Sequence, residues 1–204
     1  MSKFTTLEQH ASYGIGLQMG QQLADRPFEG LDITAVAAGL AAAYNEQAPE
    51  VTDEQIRAAF TVISERMQAE ETEKAKALAE AGELFLAENA KRPEVTVTAS
   101  GLQYEVLVAA EGEKPTTAST VRTHYHGTLI DGTVFDSSYQ RGEPAEFPVS
   151  GVIAGWTEAL QLMAVGTKLR LFVPHNLAYG ERGAGNAIAP FSTLVFDVEL
   201  LAIV

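Results

Sequence analysis

Residues 151–174 read GVIAGWTEALQLMAVGTKLRLFVP, and their reading sets the architecture of the second half of the chain. GWTEALQLM (155–163) is the one helical pattern there, and it is short. After Gly166, TKLRLFVP (167–174) is strand-like, rich in residues that fit a pleated surface. Outward from this pair the rhythm is period two. GLQYEVLVA (101–109) alternates, STVRTHYHGTLI (119–130) does so loosely, and STLVFDVELLAIV (192–204) is strongly strand-like. Turn signals separate these runs at Gly112, Asp131-Gly132, Gly142, Gly151, Gly166 and the Gly-rich YGERGAGN. The expectation is an antiparallel sheet carrying one short helix, an α+β domain over residues 94–204.

Before Pro93 the pattern is helical. Leu7, Ala11, Ile15, Met19 and Leu23 recur every fourth residue and form one apolar stripe. Ser12, Gly16 and Gly20 run beside it at the same spacing. Glycine inside a helix costs about 1 kcal/mol relative to alanine. The two glycines are either tolerated at that cost or admit a second backbone at close range. A second helix fits Ile33, Val36, Ala37, Leu40 and Tyr44, started by Asp32 or Thr34 and ended near Asn45 and Pro49. Thr52 with Gln55 makes a capping box. From there no Pro intervenes until Pro93, which allows roughly 40 helical residues, about 60 Å. Ile56, Phe60, Ile63 and Met67 give its first part an apolar face, whereas ERMQAEETEKAKA (65–77) is polar all round apart from Met67 and alanines. A helix polar on every face usually bridges domains. Two short helices and half of a long one bury little alone, so a partner chain is the simplest completion of this core. Residues 1–93 therefore read as an all-α dimerisation arm with a long connecting helix.

The bulk numbers narrow the partners. The chain has 204 residues and a formal net charge of −13. The acid is spread, with 15 acidic against 8 basic residues in 1–93 and 12 against 6 in 94–204. No basic patch is available for phosphates, so neither nucleic acid nor an anionic membrane surface is an expected partner. There is no cysteine, which removes disulfides, thiolate metal sites and cysteine nucleophiles. The first residues, MSKFTTLEQHASYG, show no apolar run after their single Lys, and no run approaches the ~18 residues of a spanning helix. A cytoplasmic location is the default expectation.

Within 94–204 several chemistries compete. A serine hydrolase would need Ser137 or Ser138 activated by His124 or His126, but no G-x-S-x-G elbow surrounds either serine. The alternative is that Asp136-Ser-Ser closes a turn through side-chain to backbone hydrogen bonds. His124 and His126 share one face of a strand and Tyr125 faces the other way; as metal ligands the pair lacks an evident third member. GERGAGN (180–186) lacks the G-x-x-x-x-G-K-[ST] pattern of a phosphate loop and reads as a loop bordering a site. The aromatics Tyr125, Phe135, Phe147, Trp156, Tyr179, Phe191 and Phe196 fit either a plain core or a pocket.

The order of the motifs decides between these. VRTHYHGTLIDGTVFDSS, GVIAGWTEALQLMAVGTKLRLFVP, LAYGERGAG and PFSTLVFDVELL together resemble the FKBP family of peptidyl-prolyl cis/trans isomerases across residues 95–204. ASYGIGLQMGQQL and the long helix resemble the dimerisation arm of the Mip-like (macrophage infectivity potentiator-like) bacterial subgroup. The resemblance implies a half-barrel of antiparallel sheet around the short helix, with an apolar pocket between them. It implies catalytic roles for Tyr125, Asp136, Trp156, Tyr179 and Phe196, with Trp156 as the floor beneath the proline ring. It implies substrate contacts from Phe135, Arg141, Phe147, Val152, Ile153 and Ile188, the Ile153 N–H and Tyr179 hydroxyl bonding the peptide. Asp136 would pair with Arg141 and Tyr125 at the pocket wall. Ala145, Ala184, Ala189 and His126 depart from the common pattern, which touches substrate preference and drug affinity more than activity. The implied partners are proline-containing polypeptides, macrolide immunosuppressants and a second copy of the chain, with no cofactor or metal. A peptide-binding chaperone (holdase) with residual isomerase activity is the rival reading.

Overall fold

Helices begin where short polar side chains satisfy the free N–H groups of a first turn. The computed structural model describes residues 3–25 and 27–204, in which α1 runs Leu7–Asp25, α2 Ile33–Tyr44 and α3 Asp53–Asn89. Of the two expected starts for α2, Asp32 is the cap: its Oδ1 accepts the Thr34 N–H at 2.8 Å. The capping box forms as expected, with Thr52 N–H donating to Gln55 Oε1 at 3.0 Å and Gln55 N–H to Thr52 Oγ1 at 3.3 Å. α3 has 37 residues, about 55 Å of helix.

The chain divides into two compact units inside α3, one ending at Glu70 and the other running from Glu71 to Val204. In the first unit, no described residue of α1 or α2 is buried, and the buried positions of α3, Gly82 and Asn89, both lie in the second. Leu7, Ile15 and Phe60 are 82%, 60% and 65% exposed. Of the α1 stripe, Leu7, Ala11 and Ile15 are exposed, whereas Met19 and Leu23 are half-buried.

The second unit is a seven-stranded antiparallel sheet with one well-formed helix on it. Its strands are β1 (Val95–Val97), β2 (Gln103–Val108), β3 (Thr120–Leu129), β4 (Val134–Ser137), β5 (Ala145–Pro148), β6 (Lys168–Val173) and β7 (Leu194–Ile203). The order is β1-β2-β6-β7-β3-β4, with β5 also on β3. β4 and β5 share one edge of β3: β4 pairs with His126–Thr128 and β5 with Thr120–Thr123, leaving His124 and Tyr125 between them. The helices are α4 (Ser138–Arg141) and α5 (Ala154–Leu162). Strict alternation in β7 buries Leu194, Phe196, Val198 and Leu200, which meet Leu169, Leu171 and Val173 of β6 and Trp156, Ala159 and Leu160 of α5 in one core. The fold is therefore the expected α+β one, a sheet wrapped on a short helix.

The end of α3 belongs to this unit. Phe172 points away from the α5 side of β6 and meets Phe85 of α3, ring centroids 5.9 Å apart. Asn89 donates to buried Gln103 at 2.9 Å, and Gln103 Nε2 donates to the Leu86 carbonyl at 2.9 Å. Gly82 permits this approach, since a Cβ there would lie 2.4 Å from Thr193 Oγ1. β1, β4, β5 and α4 have three or four residues each, too short to show a period in sequence.

Candidate functional site

The site begins on β3, where Tyr125 points from the sheet toward α5. Gly127, two residues on, shares that face. A Cβ there would sit 2.7 Å from the Phe135 ring and 2.9 Å from the Phe196 ring, so the missing side chain is the space these rings occupy. Phe135 and Phe196 meet edge to face at 5.4 Å. Trp156, in the first turn of α5 and 5% exposed, is the hub of the cluster. It stands edge to face on Phe196 at 5.1 Å and on Tyr125 at 5.2 Å, with Phe147 tilted at 5.5 Å. Such contacts contribute about 0.5–1.5 kcal/mol each beyond buried area. The Trp156 N–H has no hydrogen-bond partner, in keeping with a largely aromatic surround.

These residues line a pocket of about 290 Å³ together with Asp136, Ala145, Gly151, Val152, Ile153 and Tyr179. Of the site residues expected from sequence, nine of eleven line it. Arg141 stands behind the wall, and Ile188 is buried in the core and bridged to Ala184 in the loop after Tyr179. Ala145, one of the departures from the common family pattern, and Gly151 join the lining. Among the described residues, the Ile153 N–H and the Tyr179 hydroxyl have no hydrogen-bond partner, and the adjoining turn of α5 is likewise without a side-chain cap. Two donors are thus free at the pocket.

One carboxylate faces this apolar space, and it is neutralised. Asp136 accepts from the Tyr125 hydroxyl at 2.5 Å and from Arg141 Nη1, while Arg141 Nη2 donates to the Tyr125 oxygen at 2.8 Å. The guanidinium also lies over the Tyr125 ring, 5.3 Å from its centroid. Burial first, and then the Asp136 hydrogen bond, push the Tyr125 phenol above its ordinary range; the Arg141 hydrogen bond opposes this. Arg141 is held further in its charged form by its bonds to Tyr125 and Asp136. The closed ring of three groups leaves no proton in position to move to a substrate.

The two serines have separate tasks. Ser137 caps α4, accepting the Gln140 N–H, and left-handed Gly142 (φ 78°) ends that helix just after Arg141. Ser138 is fully buried and fills the gap between β4 and β5. Its hydroxyl accepts the Tyr125 N–H at 2.8 Å, donates to the Tyr125 carbonyl at 3.1 Å and meets His124 Nδ1 at 2.9 Å. A hydroxyl has one proton and two lone pairs, so with its proton on the carbonyl it accepts from His124, which makes Nδ1 the protonated nitrogen. Such a serine holds a strand and cannot attack a substrate. His124 stacks on Tyr139 at 4.6 Å, and His126 faces a separate hollow beside Arg170 and Asp197. The hydrolase and paired-metal readings therefore have no geometry behind them.

Comparison with known proteins bears on the family and the fold. Residues 111–201 match the family described as FKBP-type peptidyl-prolyl cis-trans isomerase, and residues 8–106 match the domain amino-terminal to it. The FKBP-type 22 kDa peptidyl-prolyl cis-trans isomerase of Escherichia coli is 54% identical over 200 residues, 98% of this chain and 97% of that protein. The outer membrane protein MIP of Legionella longbeachae is 39% identical over 208 residues, covering 99% of this chain and 88% of that protein. The crystal structure of FkpA from Escherichia coli superposes with a TM-score of 0.73 at 35% identity and covers 98% of both chains.

Proposed function

The chain belongs to the FKBP-type peptidyl-prolyl cis-trans isomerases, and from that membership we infer that the pocket on Trp156 is where an X–Pro bond turns. The protein is a peptidyl-prolyl cis-trans isomerase; the rival holdase reading has no such support. The observation that carries the site assignment is a 290 Å³ pocket walled by aromatic rings, with two unpartnered donors and a single, already neutralised carboxylate.

The reaction is a rotation. An X–Pro bond resists twisting by about 18–20 kcal/mol because amide resonance holds it planar, and it turns over unaided in tens to hundreds of seconds. Resonance places positive charge on nitrogen and negative charge on oxygen. A dry apolar wall solvates that separation poorly and so disfavours the planar form relative to the twisted one. Each ~1.4 kcal/mol of such difference gives tenfold in rate. In this reading Trp156 floors the proline ring, and Tyr125, Phe135, Phe147 and Phe196 exclude water around it. The Ile153 N–H and Tyr179 hydroxyl hold the flanking peptide carbonyls, and Asp136 shapes the field while Arg141 fixes its orientation. Macrolide inhibitors would use the same space. Trp156 is the sole tryptophan, so its fluorescence reports occupancy. A proline peptide should change that emission with a midpoint equal to its KM. Turnover without any emission change would place the reaction elsewhere.

The active assembly is a homodimer paired through the N-terminal helices. Support comes from the exposed part of the α1 stripe and from a hollow of about 590 Å³ on the adjoining face of α1, lined by Ser12, Tyr13, Gly16 and Leu17 among others. A Cβ at Gly16 or Gly20 would meet nothing within its own chain, which leaves room for a second backbone. Two pockets in one particle raise the effective concentration of the second for a chain held by the first.

A further inference from the structure

Two residues near the pocket break local rules, and they touch each other. Phe191 holds φ at +60°, a region where a bulky side chain persists only when its surroundings enforce it. His175 has a buried Nδ1 with no hydrogen-bond partner, and native structures keep few such orphans. The two rings meet edge-on, centroids 5.1 Å apart at 64°. Neither residue lines the pocket.

What they enclose is the segment 179–191. The His175 carbonyl accepts the Ala178 N–H at 3.0 Å and the Gly180 N–H at 2.8 Å, and the Gly180 carbonyl accepts the Phe191 N–H at 2.9 Å. Gly180 therefore ties both ends of the segment together. Its chain neighbour is Tyr179, whose ring lines the pocket and whose hydroxyl is a free donor there. Glu181, Arg182 and residues 185–187 are solvent-exposed, and among the described residues the segment's one bridge joins Ala184 to Ile188. Ile188 anchors its middle in the core, but the exposed residues between Tyr179 and that anchor have few contacts with which to order themselves. The order of the Tyr179 end comes from the base.

We propose that the His175–Phe191 ring pair is a clasp that positions Tyr179 for catalysis, both members being positioning residues that never touch the substrate. The left-handed turn at Phe191 is retained because it lets the N–H reach Gly180 while the ring returns onto His175. The proposal rests on the pocket reading given above.

Phe191→Gly tests it in the full-length chain, because glycine keeps the left-handed turn freely and removes only the ring. The expected result is faster amide exchange across residues 180–189 and a kcat/KM on a proline peptide lowered about fivefold, the worth of one neutral hydrogen bond. His175→Ala should match it, and His175→Phe, which restores a ring, should recover most of the loss. In a Tyr179→Phe background, Phe191→Gly should cost nothing more, since both act through one hydroxyl. Losses that multiply in the double variant would overturn the clasp, as would wild-type turnover in Phe191→Gly. The pocket reading has its own arm. If Asp136→Ala and Tyr179→Phe both turn over at the wild-type rate, that reading falls. Exchange at 180–189 then judges the clasp alone: faster exchange in Phe191→Gly supports it, and unchanged exchange ends it.

Discussion

The two units contain the same kinds of apolar residue at equally regular spacing, yet only one of them has a core. In the second unit Leu169, Leu171, Val173, Leu194, Phe196, Val198 and Leu200 are at most 4% exposed. In the first, Leu7, Ile15, Leu17 and Phe60 are each more than half exposed. Periodicity states which face a residue occupies; burial depends on whether a second layer exists. A sheet that wraps α5 supplies its own second layer, whereas the helical segments of the first unit leave most of their apolar faces exposed. The contrast bears on the proposed division of labour as well, since the pocket's shape is complete within one chain and the proposed dimer would supply the arm's second layer.

The largest effects should come from breaking that contrast in the arm. Ile15→Asp together with Phe60→Asp places charge in the proposed dimer contact and should raise the dissociation constant more than about a hundredfold, the scale of lost interface anchors. Sedimentation at micromolar concentration should then give the mass of one chain, 21.8 kDa, with short-peptide turnover unchanged within about twofold. A wild-type chain that already sediments at that mass would sink the dimer. Next in size is the end of α3 within the second unit. A chain starting at Glu71 retains the Phe85–Phe172 contact and the Asn89–Gln103 and Gln103–Leu86 hydrogen bonds, and one starting at Glu94 loses all three. The shorter chain should be less stable by about 2–4 kcal/mol in urea titration, from one uncovered aromatic and two lost hydrogen bonds. Equal midpoints would show that α3 contributes nothing to the second unit.

Most of this architecture was legible in sequence because its signals are long or repeated. Four strand runs, the α5 pattern, the Thr52–Gln55 box and the stop before Pro93 all correspond to observed elements. The elements that escaped are single turns and short strands, and these build much of the site wall. Phe135 and Asp136 sit on β4, Phe147 on β5 and Arg141 on α4. Motif order named those residues where periodicity could not. What neither signal could show is that Ser138 completes the β3 edge, that Ile188 turns into the core, and that Phe191 adopts a left-handed backbone. Each of these depends on atoms far apart in the chain.

Smaller effects should appear inside the pocket, where the well-packed unit is least forgiving. Gly127→Ala drives a methyl into the Phe135 and Phe196 rings and should cost about 1–3 kcal/mol of stability by overpacking; an unshifted midpoint would mean those rings can retreat. Asp136→Ala leaves the Tyr125 hydroxyl and Arg141 without their acceptor. It should lower kcat/KM about tenfold, near 1.4 kcal/mol of transition-state stabilisation, while the domain stays folded.

The smallest expected effect is the response to pH, and it bears most directly on what the carboxylate does. Tyr125 is raised above its ordinary value of ~10 by burial and by Asp136, and Arg141 is raised as well. A tyrosine raised in the folded state contributes stability that is fully present below the unfolded value and is lost as pH rises through the folded one. Between pH 7.5 and 9, above the ordinary histidine range, neither Tyr125 nor Arg141 changes charge. kcat/KM on a proline peptide should therefore be flat there within about twofold, and should fall only above pH ~10, together with the thermal midpoint. Acid–base catalysis would instead give a bell-shaped profile whose limbs report a proton donor and acceptor. If turnover bent at a carboxylate pKa, and Asp136→Ala abolished it outright, the carboxylate would be moving a proton. The tie to Arg141 and Tyr125 would then be a resting state, opened each time a substrate binds.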